Sequence, residues 1–437
     1  MHWQSFRGGL VTVALALFAL SSDAYPTKAR QTSSPRLLTL PIRRVERRSN
    51  VPAELRHQQD LNRARRVASR AAGLPGSSND DIRASRRYNF PANSNNSFMA
   101  DSNQSSPQFS SPAVVDQGGY TVSLKLGTPP RAFNIIIDSG SSDFWVDSTQ
   151  CSSFDFNGGS CGNHSFFDPN QSSSLARLNK AFSDGYGSGY AAGEVVNDTL
   201  VLAGVTLEDL TFGIAHNISA SFARDSRNSG LMGLGGLGLS NLTVPAIPVI
   251  MRDRGLVDHA IVSYHLGNTT DIGEITFGGL DTTKFDPSTA VTVNNTGNGF
   301  WRIPLEGVSV NGAAVAGIKL NSSNPIAVMD TGTTLLVLPT ADAKTLHAQI
   351  PGTQEDKGQF TLPCNTTAIV SLRFGGRDFE ISSKNLIFEH VRRGSDRCIS
   401  GIGTQDGESW TIGDTFLKNV YFSTNFDDNT VTLANLV

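Results

Sequence analysis

The sequence predicts an all-β protein of two related lobes, and three observations carry that reading. A nine-residue phrase occurs twice. The first copy is Asn134-Ile135-Ile136-Ile137-Asp138-Ser139-Gly140-Ser141-Ser142, which runs on into Asp143-Phe144-Trp145-Val146. The second is Ile326-Ala327-Val328-Met329-Asp330-Thr331-Gly332-Thr333-Thr334, followed by Leu335-Leu336-Val337-Leu338. Its aspartates stand 192 positions apart (330 − 138), which suggests a duplicated half-chain. Composition agrees, with 42 glycines in 437 residues and only 17% charged side chains, as suits short strands joined by turns. Local pattern agrees as well: Tyr120–Leu126 alternates apolar and polar residues and ends in Gly127-Thr128-Pro129-Pro130, a turn by chemistry.

An apolar run is a poor place for a carboxylate, because burying an unpaired charge is costly and shifts its pKa. A turn of small hydroxyl donors can hold such a group, bonded and oriented, at a strand end. One copy of D-[ST]-G is a weak signal, since the tripeptide recurs in ordinary loops. Two matched copies predict that each half gives one aspartate to a shared site.

These twin turns resemble the catalytic motifs of the pepsin-like aspartic proteases. Most of the chain from about Val114 to Val437 reads against that family, and the dibasic sites and compact form suit a secreted fungal member. The resemblance implies a bilobal fold with a central cleft, a β-hairpin flap and no cofactor or metal. It implies that Asp138 and Asp330 form a catalytic dyad supported by Ser139, Gly140, Ser141, Thr331, Gly332 and Thr333. Ser141 and Thr333 would orient the outer carboxylate oxygens, and Gly140 and Gly332 would let backbone N–H groups approach. Ser139 stands where the family more often has Thr; the hydroxyl is kept and a methyl is lost.

In chain order, Arg7 and the apolar run Leu10–Leu20 read as a secretory signal cleaved after Ala24. Residues 25–90 hold fifteen Lys/Arg against five Asp/Glu, whereas residues 91–437 hold twenty against thirty-three, about −13. A basic segment ahead of an acidic body predicts an intramolecular partner rather than nucleic acid, and a solvated basic tail is the bland alternative. The segment resembles a propeptide, with Leu37–Ile42 reading as a strand and Pro52–Ala72 as a helix. Family zymogens place a basic residue over the two aspartates, but too many arginines compete here to select one. Arg86-Arg87 is the better of two dibasic processing sites, Arg47-Arg48 the other. A Ser/Asn-rich linker follows to Pro112.

The first lobe is expected over 113–285 and the second over 286–437. Ser183–Tyr190 resembles the flap, with Tyr186 at its tip, Gly187 and Ser188 beside it, and Trp145 as packing and hydrogen-bonding partner. Gly230-Leu231-Met232-Gly233 and Trp410-Thr411-Ile412-Gly413 resemble the elements that back the two catalytic loops. Ile136, Tyr186, Phe222 and Leu231 match the residues around the family's P1 side chain, the one preceding the scissile bond. Ser188 stands where an aspartate lets some fungal relatives accept Lys. Cys151–Cys161 and Cys364–Cys398 match the family's disulfides, although four cysteines alone allow three connectivities. Zinc fits poorly, because the spacings are not C-x₂₋₄-C and His does not cluster. Eleven N-x-[ST] sequons between Asn95 and Asn365 suit a glycosylated, secreted chain, with a vacuolar destination as the alternative.

Other functions fit the sequence less well. A two-carboxylate glycosidase would not call for twin turns, a flap and a propeptide. A non-catalytic pepsin-fold binder usually lacks an Asp, a hydroxyl or the flap Tyr, and all are present here. The expected activity is acidic endopeptidase cleavage after bulky apolar residues. The partners expected are protein substrates and the chain's own propeptide, without nucleic acid or membrane, in a monomer.

Overall fold

Alternation decides the first hairpin. In strand Tyr120–Leu126 every second side chain is buried, and it pairs antiparallel with Arg131–Asp138, so that Thr121 faces Ile136 and Leu126 faces Arg131. A computed structural model describes residues 36–44, 53–71, 119–154, 159–187, 189–223, 227–267, 273–318, 320 and 326–437. The signal, both dibasic sites, the Ser/Asn-rich tract and Ser188 lie outside the described residues.

The fold is mostly β and repeats one device in each half. In the first, Ile136–Asp138 runs parallel to Leu231–Gly233, and Phe144–Val146 pairs antiparallel with Gly230–Met232. In the second, Ala327–Met329 runs parallel to Trp410–Ile412, and Leu336–Val337 pairs antiparallel with Thr411–Ile412. In each half, one backing strand thus lies between the strand that enters the aspartate turn and the strand that leaves it. Strands buried on both faces need continuous apolar sequence, which is what Ile135–Ile137 and Ala327–Met329 supply. Disulfides join Cys151 to Cys161 and Cys364 to Cys398.

The basic N-terminal segment is built into this body. Its strand β1 (Leu38–Arg44) pairs antiparallel with Gly273–Phe277 on one side and with Tyr120–Val122 on the other. It thus completes a sheet that also takes in Ile261–His265 and the C-terminal strands Val420–Asn425 and Thr430–Asn435. The helix that follows, α1 (Ala53–Ala71), buries residues at helical spacing: Ala53, Arg56, His57, Asp60, Leu61, Arg63, Ala64, Val67 and Ala68. Four of these nine residues are ionisable. A buried ionisable face requires partners, because the desolvation cost is otherwise prohibitive. Leu61 and Ala64 pack on Leu335 and Val337, and Val67 packs on Phe300 and Val328, all in or beside the second half's central strands.

One buried group contributes a defined pH dependence to the body's stability. His347, at the end of helix α2 (Thr340–His347), is 1% exposed and stacks on Phe360 at 3.9 Å between ring centroids. Nδ1–H donates to the Ala343 carbonyl (2.8 Å), which leaves Nε2 to accept from the Ser400 hydroxyl (2.9 Å). The neutral ring is satisfied, and burial pushes its pKa down to about 4 from 6.5. The unfolded chain takes up this proton first, so the stability held above pH 6.5 is lost as pH falls to about 4. The linkage is worth about 3 kcal/mol. His347→Gln, which keeps a donor and an acceptor, should flatten the pH dependence of unfolding free energy over that window by about this amount. Parallel curves from urea melts of the two proteins would show that His347 is not the group responsible.

Candidate active site

The two halves meet at their aspartates. Asp138 and Asp330 are 1% and 0% exposed and are held by the same donors in each turn. Gly140 N–H donates to Asp138 Oδ1 (3.0 Å) and Ser141 Oγ to Oδ2 (2.7 Å). Gly332 N–H donates to Asp330 Oδ1 (2.9 Å), and the Thr333 hydroxyl makes a short bond to Oδ2. The flanking hydroxyls stitch the turns together. Ser139 Oγ accepts from Thr331 N (2.9 Å) and donates to the Met329 carbonyl (3.0 Å). Thr331 Oγ1 accepts from Ser139 N (3.0 Å) and donates to the Ile137 carbonyl (3.2 Å). The Ser in the first motif makes both bonds without the missing methyl.

Glycine is required at both turns by proximity. A Cβ on Gly140 would lie 2.5 Å from Asp330 Oδ1, and one on Gly332 would lie 2.4 Å from Asp138 Oδ1. Burial, and then the charge of Asp138, raises the pKa of Asp330 well above the ordinary carboxylate range. Arg63 of α1 lies over this pair, its Nη2 3.0 Å from Asp138 Oδ2, with both side chains nearly inaccessible. Burial alone would lower the pKa of Arg63, but the charges of Asp138 and Asp330 outweigh it and hold the group cationic. The sequence offered five arginines on this helix, and only the packing angle singles out Arg63.

The flap hairpin, Ala176–Tyr186 with Gly189–Leu202, reaches over the same place. Trp145 Nε1–H donates to the Tyr186 hydroxyl at 2.7 Å. Phe222 meets both rings edge-on, at 5.2 Å from Trp145 and 5.4 Å from Tyr186. Ile136 and Leu231 are register partners, and both belong to the same buried cluster as these three aromatics. Gly187 touches α1 so closely that a Cβ there would fall 1.9 Å from Arg63 Cα. Under the flap a small cavity remains, lined by Arg63, Val67, Asp138, Ser141, Tyr186 and Gly187 among others.

Sequence reasoning missed a second carboxylate pair close to the flap's tip. The Tyr186 hydroxyl donates to Asp184 Oδ2 (3.3 Å), and Asn241 Nδ2 donates to Asp184 Oδ1 (2.5 Å). Asp143 faces it and accepts from Asn241 N (2.7 Å) and the Ser240 hydroxyl. Burial first, and then the Asp143 charge, raises the pKa of Asp184. The signal available was an aspartate two residues before each of Trp145 and Tyr186. Among the described residues, the one cluster with metal-ligating atoms is Cys364, His390 and Cys398, and its two sulfurs are bonded to each other.

Residues 119–436 match the family model described as eukaryotic aspartyl protease. The chain is 32% identical over 358 residues to the aspartic-type endopeptidase ctsD of Aspergillus fumigatus, covering 79% of this chain and 72% of that protein. It is 29% identical over 460 residues to the major aspartyl peptidase 1 of Cryptococcus neoformans, covering 100% and 89%. With rhizopuspepsin of Rhizopus chinensis it shares 34% identity over 310 residues, covering 69% and 74%. With two gripped aspartates at the meeting of two similar halves and a family match across both, the chain belongs to the pepsin-like eukaryotic aspartyl proteases and is an aspartic-type endopeptidase.

Proposed function

We propose that Asp138 and Asp330 are the catalytic dyad and share one proton at acidic pH. The observation that carries this is their matched set of donors, with each aspartate's turn glycine too close to the other aspartate to carry a methyl group. Two carboxylates so close in a dry site do not both ionise easily. The ionised member takes a proton from a water whose oxygen bonds to the scissile carbonyl carbon. The protonated member hydrogen-bonds that carbonyl oxygen and supplies its proton as the oxyanion forms. Collapse of the tetrahedral diol breaks the C–N bond, with one proton passing to the leaving nitrogen. Asp138→Asn or Asp330→Asn should each lower kcat by a factor of about 10³ or more without changing the melting temperature by more than a few degrees. Near-normal turnover in either variant would refute the assignment.

We infer that the chain is a zymogen whose residues up to the Ser/Asn-rich linker are removed, leaving lobes that divide near residue 285. Arg63 supports this, since it occupies the place where substrate carbonyl and water must come. Protonating the carboxylates removes the attraction, so the charge hold is present at neutral pH and lost as pH falls through the carboxylate range. Full-length protein should process itself quickly near pH 3–4 (about the carboxyl pKa range) and slowly at pH 7. Arg63→Gln should raise the pH 7 rate at least tenfold. Equal rates for both proteins at pH 7 would count against Arg63 as the lock.

The reading extends to specificity and destination. Ile136, Tyr186, Phe222 and Leu231 form a wall of large apolar and aromatic side chains, suited to Phe, Leu or Met at P1, each burial contributing about 1.5–3 kcal/mol. Nothing charged among them offsets the desolvation of an ammonium group, so Lys at P1 should be poor. A peptide library cleaved at acidic pH reads this directly: a dominant Lys or Arg signal at P1 would overturn the pocket. The enzyme is proposed to act as a secreted, glycosylated monomer. Among the described residues no helix is long and apolar enough to cross a membrane.

A further inference from the structure

A second cation is buried in the cleft, away from the aspartates. Arg56 precedes Arg63 by seven residues, two helical turns, so both lie on one face of α1 about 10 Å apart along its axis. The Arg56 side chain is 2% exposed, and its guanidinium pairs with Glu389 in strand Ile387–His390. Glu389 itself is 37% exposed and stands at the rim. Its neighbour Phe388 meets the His57 ring edge-on at 5.6 Å and packs with Leu61, Leu335 and Val337. Gly403 makes room for this contact, since a Cβ there would lie 2.2 Å from Leu61 Cδ2. One strip of the second half's wall thus receives a cation and an apolar side chain next to each other.

We propose that Glu389 is a specificity-determining residue: with α1 gone, it selects substrates carrying Lys or Arg beside an apolar residue. The inference rests on the endopeptidase reading above and on the cleft being vacated on activation. The wall that accepts Arg56 and Leu61 presents the same carboxylate and the same apolar surface to whatever replaces them. An extended peptide advances about 3.3–3.6 Å per residue, so the roughly 10 Å between Arg63, which sits on the dyad, and Arg56 is spanned by about three residues. At a half-exposed rim an ion pair supplies about fivefold in affinity at most.

The test uses the full chain activated by acid and assayed at about pH 5, where a glutamate of ordinary pKa is mostly ionised. Peptides with a fixed apolar P1 residue carry Lys, Gln or Glu at each position two to four residues from the scissile bond. The readout is the ratio of kcat/KM for Lys over Gln within one enzyme. Wild type should show about fivefold at one such position, Glu389→Gln about one, and Glu389→Lys a preference for Glu instead. High salt should also drive the wild-type ratio towards one, a readout that needs no variant to fold. A flat or salt-independent wild-type ratio, or one that survives Glu389→Gln, overturns the subsite and leaves the endopeptidase reading standing. Failure to cleave any peptide after acid treatment overturns both.

Discussion

The close approach of two carboxylates inside a dry interior is the constraint on which the rest of the structure depends. Removing a carboxylate from water costs several kcal/mol, and bringing a second alongside adds repulsion that low dielectric does little to screen. Symmetry answers both costs: each Asp receives one backbone N–H and one hydroxyl. The reciprocal bonds of Ser139 and Thr331 fix one turn to the other, so the halves cannot drift apart without breaking four buried hydrogen bonds. Every other element of the site is placed relative to that joint.

Helix α1 fits the same surface by a mixed strategy. Its charged residues meet fixed charges, Arg63 at Asp138 and Arg56 at Glu389, while Leu61 and Val67 fill apolar wall between and beyond them. These two kinds of contact respond differently to solution conditions. Ion pairs weaken when carboxylates take up protons, whereas apolar packing is indifferent to pH. Acid therefore weakens the helix at its charged contacts and leaves its apolar packing in place.

Much of the fold and most of the central site were legible because the chemistry leaves few choices. An Asp in an apolar strand needs small donors around it, so Ser139–Ser141 and Thr331–Thr333 announce themselves. The backing elements Gly230–Gly233 and Trp410–Gly413 repeat in the same order, and they prove to be the strands that grip the two turns. The strand and helix of the basic segment were also readable, within a residue or two, from Leu37–Ile42 and Pro52–Ala72. What stayed hidden depends on angles rather than on composition. Arg56, Arg63, Arg65, Arg66 and Arg70 are equivalent in sequence, and only the helix's rotation against the cleft separates two of them. Asp143 and Asp184 read as surface residues by type; a fold that brings chain positions 41 apart back together makes them buried neighbours.

Strand β1 gives the N-terminal segment a second attachment of another physical kind. It is held by backbone ladders on both edges, to Gly273–Phe277 and to Tyr120–Val122, and those bonds involve no titrating group. Taking it out opens a slot one strand wide, about 9.5 Å between the strands on either side, and leaves two rows of amides and carbonyls facing each other too far apart to pair. Exposed ladders of this sort recruit other chains. On the activation proposed above, the helix's ion pairs are what acid weakens, whereas release of the strand would require another extended segment to satisfy both vacated ladders.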